Sequence, residues 1–109
     1  MREEFVLCAS SAYEQKYYFN NEFSNLPDQV KDELKAMCVL FTEDVGGILE
    51  LKFDGEGTLS LVSTADEEDV TFDEIGAGLK IRNLTMEKRD LFEALELYYK
   101  VFFLESEES

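Results

Sequence analysis

Between residues 34 and 53 the chain reads LKAMCVLFTEDVGGILELKF, an apolar helical pattern that stops at paired glycines and resumes at once as an alternating strand. Leu26, Val30, Leu34, Met37, Phe41 and Val45 recur at intervals of four, four, three, four and four, one stripe at the helical period. Pro27 stands where such a helix would begin, since its missing N–H costs nothing in a first turn. A helix over 27–45 is expected, capped at Asn25 or Leu26, with Gly46 in the left-handed position past its end. Residues 48–54 then place Leu49, Leu51 and Phe53 on one face and Glu50, Lys52 and Asp54 on the other. A loop of Gly55, Glu56 and Gly57 brings Phe53 opposite Leu59 and Leu51 opposite Leu61. Turn chemistry and hydrophobic register therefore agree on a 48–64 hairpin with one packed face and one wet face.

The flanking stretches carry mixed signals. Residues 5–9 suit a short strand, and the aromatic run YEQKYYFN at 13–20 suits a second strand paired with it or a short helix. Over 72–82, Phe72, Ile75 and Leu79 favour a short helix, while Ile75, Ala77, Leu79 and Ile81 alternate as in a strand. A last helix is expected over 85–104, capped by Thr85, with residues 105–109 as a frayed acidic tail. Its two stripes, Leu91, Leu95, Tyr98 and Phe102 beside Phe92, Tyr99 and Phe103, make an apolar arc wider than one small sheet would cover. The expected product is one domain over 1–109, a two-layer α+β fold with an antiparallel sheet packed against helices at 27–45 and 85–104.

Charge and residue usage narrow the chemistry. The 109 residues carry a formal charge of −15, and residues 43–74 hold eleven acids against one base, Lys52. Such a field repels nucleic-acid phosphates and anionic lipid, so no direct nucleic-acid or membrane partner is expected. No apolar stretch reaches the roughly 18–20 residues that span a bilayer, and residues 5–9 are too short for a signal-peptide core. Cys8 and Cys38 read as reduced, buried thiols of a cytoplasmic protein, without metal-ligand spacing. The absence of His removes Ser-His-Asp and Cys-His mechanisms. Gly76-Ala77-Gly78 lacks the third glycine and the strand-to-helix setting of a nucleotide loop. Asp66, Glu67, Glu68 and Asp69 form an acidic loop without the spacing of an EF-hand, so a solvated charge run is preferred to a cation site. The patch of Tyr13, Tyr17, Tyr18 and Phe19 packs a core or meets a protein partner.

Four segments, YEQKYYFN at 13–20, CVLFTEDVGGILELKFD at 38–54, FDEIGAGLKI at 72–81 and LFEALELYYKVFF at 91–103, together resemble a family of small acidic bacterial proteins defined only as a domain of unknown function. The resemblance implies a bacterial cytosolic protein and brings no catalytic residues; no metal or cofactor is expected. The leading expectation is a non-enzymatic protein-interaction or regulatory module with an unidentified protein partner. Its motivation is the apolar arc, with Tyr98, Tyr99, Phe102 and Phe103 as a homodimer interface. A second reading makes Asp66, Glu67, Glu68 and Asp69 the heart of a polyanion mimic for a basic site on a partner protein. A third is a small-molecule binder or carboxylate enzyme, which requires a concave pocket with convergent acids.

Overall fold

A computed structural model describes residues 4–104; the acidic tail expected at 105–109 lies outside the described residues. Four strands, β1 (Phe5–Ser11), β2 (Lys16–Phe19), β3 (Ile48–Phe53) and β4 (Leu59–Thr64), form one antiparallel sheet in the order β2-β1-β3-β4. Helices α1 (Asp28–Val45), α2 (Glu74–Glu87) and α3 (Arg89–Tyr99) accompany it, with a 3-10 turn at Asn21–Phe23 and a π-helical turn at Lys100–Leu104. The α+β architecture expected from the sequence is the one observed. Among the described residues no helix is long and apolar enough to cross a membrane.

The joint at Gly46-Gly47 works as its residues dictate. Pro27 itself, rather than Asn25 or Leu26, occupies the cap position, and its carbonyl accepts the amides of Val30 and Lys31. Leu34, Met37, Cys38, Phe41 and Val45 are buried along the inner side of α1. The Gly46 amide donates to the Thr42 carbonyl, and Gly46 has φ 83° and ψ −169°. That is an extended positive-φ region open essentially only to glycine, rather than the left-handed helical well expected past a helix end. Gly47, at φ 70°, completes the reversal into β3.

The β3–β4 hairpin has the expected register, Phe53 opposite Leu59 and Leu51 opposite Leu61. Gly57 has φ 88°, and the Asp54 carboxylate accepts the amides of Glu56 and Thr58, closing the loop. Residues 5–20 form a hairpin rather than a helix, β1 pairing with β2. A register shift between Val6 and Cys8, a β-bulge, turns the consecutive residues Leu7 and Cys8 toward the core, where both are fully buried.

Helical signals win over 72–82 from Glu74 onward, because Asp73 caps α2 by accepting the Gly76 amide. The helix expected over 85–104 is divided differently. Thr85 lies in the last turn of α2, its hydroxyl donating to the Ile81 carbonyl, and the helix is interrupted at Lys88, at φ −105° and ψ 21°, before α3 begins. The reason is tertiary: ion pairs Lys80–Asp44 and Lys88–Glu33 hold α2 alongside α1, while Tyr99 of α3 stacks on Phe53 of the sheet, ring centroids 4.2 Å apart.

Candidate functional site

A cleft of about 760 Å³ opens between the β1–β2 turn and the C-terminal half of α1. The turn is hooked to the glycine joint, since the Ala12 amide donates to the Gly47 carbonyl at 2.8 Å. On the floor, Ser10 of β1 and Thr42 of α1 place their hydroxyls 2.8 Å apart, and both residues are buried. The Thr42 proton is directed at the helix carbonyls of Cys38 and Val39, so Ser10 donates to Thr42 Oγ1. This polar pair interrupts two otherwise apolar faces, a cost accepted only because each hydroxyl has its partner.

Tyr17 lies opposite Ser10 across the β1–β2 ladder and lines the same cleft. Its hydroxyl is buried with no oxygen or nitrogen partner. Burial, followed by the neighbouring Cys8 sulfur, pushes the phenol well above its usual range. Lys16 and Gln15 come from the turn, and Lys35, Val39 and Glu43 from α1. Among the described residues neither Lys16 nor Lys35 has an ion pair, whereas Lys31, Lys52, Lys80 and Lys88 each reach a carboxylate. The cleft therefore presents two unneutralised ammonium groups, one carboxylate and a hydroxyl-lined floor, in a molecule whose net charge is −15.

Beneath that floor lies a second feature. Cys8 and Cys38 bring their sulfurs to 3.8 Å, both side chains fully buried. The Cys38 thiol lowers the pKa of Cys8, with Tyr17 assisting against the effect of burial. Cys38 is pushed strongly up by its contact with Cys8 and then by burial.

The residues expected to form an interface are dispersed. Tyr99 is buried, and Phe103 and Tyr98 pack against the core, within a cluster that joins Phe5, Phe23 and Phe53. Phe102 alone of the four stays largely exposed, at 61%, and it packs against Tyr98. Most of the wide apolar arc is covered inside one chain.

The acidic loop is an organised turn. The Tyr13 hydroxyl donates to Asp69 at 2.6 Å and accepts the Asp66 amide at 2.9 Å. Asp69 also accepts the amide and hydroxyl of Thr71, while Asp66 accepts the Glu68 amide. Tyr13 first and Thr71 second hold the Asp69 carboxyl below its ordinary value; the Thr58 and Glu56 amides do the same for Asp54. Glu67 and Glu68 are exposed. Among the described residues no three Cys, Asp or Glu side chains converge as a metal-ligand set.

The aromatic patch separates: Tyr17 and Phe19 face the core side, Tyr18 is 54% exposed, and Tyr13 braces the acidic loop. Ser10, Lys16, Lys35 and Thr42 carry no sequence signal as a set, because the β1–α1 approach that unites them is non-local. The one available hint is a polar residue, Thr42, embedded in the buried stripe of α1.

No curated protein and no solved structure matches the chain. Over residues 4–107 it matches the profile of a family of unknown function, DUF6145, and it belongs to that family.

Proposed function

We propose that this domain is a non-enzymatic binding module of the bacterial cytosol whose cleft takes a small organic anion. The observation that carries this reading is the meeting of Lys16 and Lys35, both without carboxylate partners among the described residues, at a cleft of metabolite size on a strongly acidic chain. Its volume falls within the usual range for ligand pockets, roughly 300–1,000 Å³. Val39 and the Tyr17 ring offer apolar surface to a ligand body, and hydroxyls offer orientation. The acids on this lining reduce to Glu43, which suits binding of an anion better than carboxylate catalysis. Two thiols held in a core this size suit a reducing compartment.

Small mono- and dicarboxylates and inorganic phosphate, screened by thermal shift and confirmed by calorimetry, test the proposal. At least one is expected to raise the melting temperature at millimolar concentration by mass action. The Lys16→Gln/Lys35→Gln variant should weaken that binding by about tenfold per lysine. Its own melting temperature should stay unchanged, because both lysines are exposed and, among the described residues, without an ion pair. Unchanged affinity in the variant, or no response to any anion, overturns the assignment.

Self-association is the second reading, favoured by Leu97, Val101 and Phe102, which remain exposed along α3 and the π-turn. Residues 79–100 hold five bases and four acids, so this is where two copies of an acidic chain meet with least repulsion. Sedimentation should then show a dimer that Leu97→Glu dissociates, whereas a monomer at several hundred micromolar removes the idea.

A further inference from the structure

We propose that Cys8 and Cys38 are a reversible disulfide-forming pair, oxidised by peroxide, that staples β1 to α1 beneath the cleft. Two features of the fold place the sulfurs together. The β-bulge after Val6 turns Leu7 and Cys8 inward in succession, which re-aims Cys8 toward the helix. Cys38 lies on the buried stripe of α1, one helical turn before Thr42, whose hydroxyl meets Ser10 on the same strand. The sulfurs are 3.8 Å apart across 30 residues of chain. A disulfide needs them about 2.05 Å apart. The remaining distance is under two ångströms, within reach of side-chain rotation and a small approach of α1 to the sheet.

Ordinary core cysteines are inert because they meet only hydrocarbon. Here each thiol meets the other, and the buried Tyr17 hydroxyl lies beside the Cys8 sulfur with no oxygen or nitrogen partner. Tyr17 also lines the cleft, so this side chain touches both the surroundings of Cys8 and that opening. Displacing it admits a molecule as small as hydrogen peroxide.

The chemistry balances with peroxide as the only co-reactant. The Cys8 thiolate attacks one peroxide oxygen and breaks the O–O bond, giving a Cys8 sulfenic acid and a hydroxide that takes up a proton as water. The Cys38 sulfur then attacks the Cys8 sulfur, the S–O bond breaks, and the hydroxyl leaves as a second water with the Cys38 proton. Two thiols lose two electrons and two protons, and one peroxide becomes two waters. Cys8 is suited to the first step by position, since it lies beside Tyr17, which lines the cleft. Thiol–disulfide exchange with a small dithiol reverses the bond.

The test uses the reduced 109-residue chain, titrated with hydrogen peroxide and followed by intact mass under non-reducing conditions. A loss of 2 Da in the monomer, restored by dithiothreitol, is expected. The oxidised form should melt about 5–15 °C higher, because the bridge constrains a 30-residue loop of the unfolded chain. Cys8→Ala and Cys38→Ala should each abolish the 2 Da loss. Gains of 16 or 32 Da without that loss, bridges only between chains, or a chain unaltered by excess peroxide would each overturn the pair. Since mass is read on the unliganded chain, this result is independent of whether the cleft binds an anion.

Discussion

Gly47→Ala should lower stability by about 2–4 kcal/mol, the sum of a positive-φ penalty and an overpacking cost. Gly47 has φ 70°, and a Cβ built there falls 2.5 Å from the Thr64 carbonyl oxygen and 2.9 Å from the Phe72 ring. Neither neighbour gives way cheaply. Thr64 pairs with Ile48 at the end of the β3–β4 ladder, so moving its carbonyl disturbs the sheet where it leaves the joint. Phe72 leads into Asp73, the cap of α2, so displacing it disturbs that helix start. For a chain of this size the loss corresponds to a fall of roughly 10–25 °C in melting temperature. Gly78→Ala is the control: a Cβ there meets nothing within 4 Å, and the residue lies inside α2. That change should stabilise by about 0.5–1 kcal/mol. Urea titrations of both variants check the pair, and similar midpoints would mean that the joint tolerates a side chain.

What could be read in the sequence divides along the distance over which each signal acts. The α1 stripe and the 48–64 hairpin are local, their partners lying within a few residues or across one loop, and their register follows from pattern and turn chemistry alone. The strand order β2-β1-β3-β4 requires β1 to insert beside β3, a pairing of residues 37 to 48 positions apart that leaves no periodic trace. The cleft inherits that difficulty. Ser10 and Thr42 become a buried pair only through the approach of α1 to β1, and in sequence each is one more polar residue beside an apolar run. The apolar arc of the last helix was visible, but its cover was not. The surface that accounts for it comes from Phe5, Phe53 and above all Phe23, the last standing alone among polar residues in a 3-10 turn where no period exists to reveal it.

Phe23→Ala should therefore cost about 3–5 kcal/mol, the upper range for truncating a buried aromatic. The side chain is fully buried, and its ring lies within 4.8–6.4 Å of the rings of Phe5, Phe53, Tyr98, Tyr99 and Phe103. It joins the sheet to α3 and the π-turn, so its loss leaves a cavity that the stacked pair of Phe53 and Tyr99 cannot fill without separating. Near-UV circular dichroism should weaken along with the melting temperature, since the tyrosines lose their fixed surroundings. Phe102→Ala supplies the contrast. That ring is mostly exposed, and its removal should change the stability of the monomer by no more than about 0.5 kcal/mol. The two variants together decide how the arc is satisfied. A large cost at Phe23 with a small one at Phe102 means that it is closed within the chain. Equal large costs, with the Phe102 effect growing with protein concentration, would mean that a second copy completes the cover.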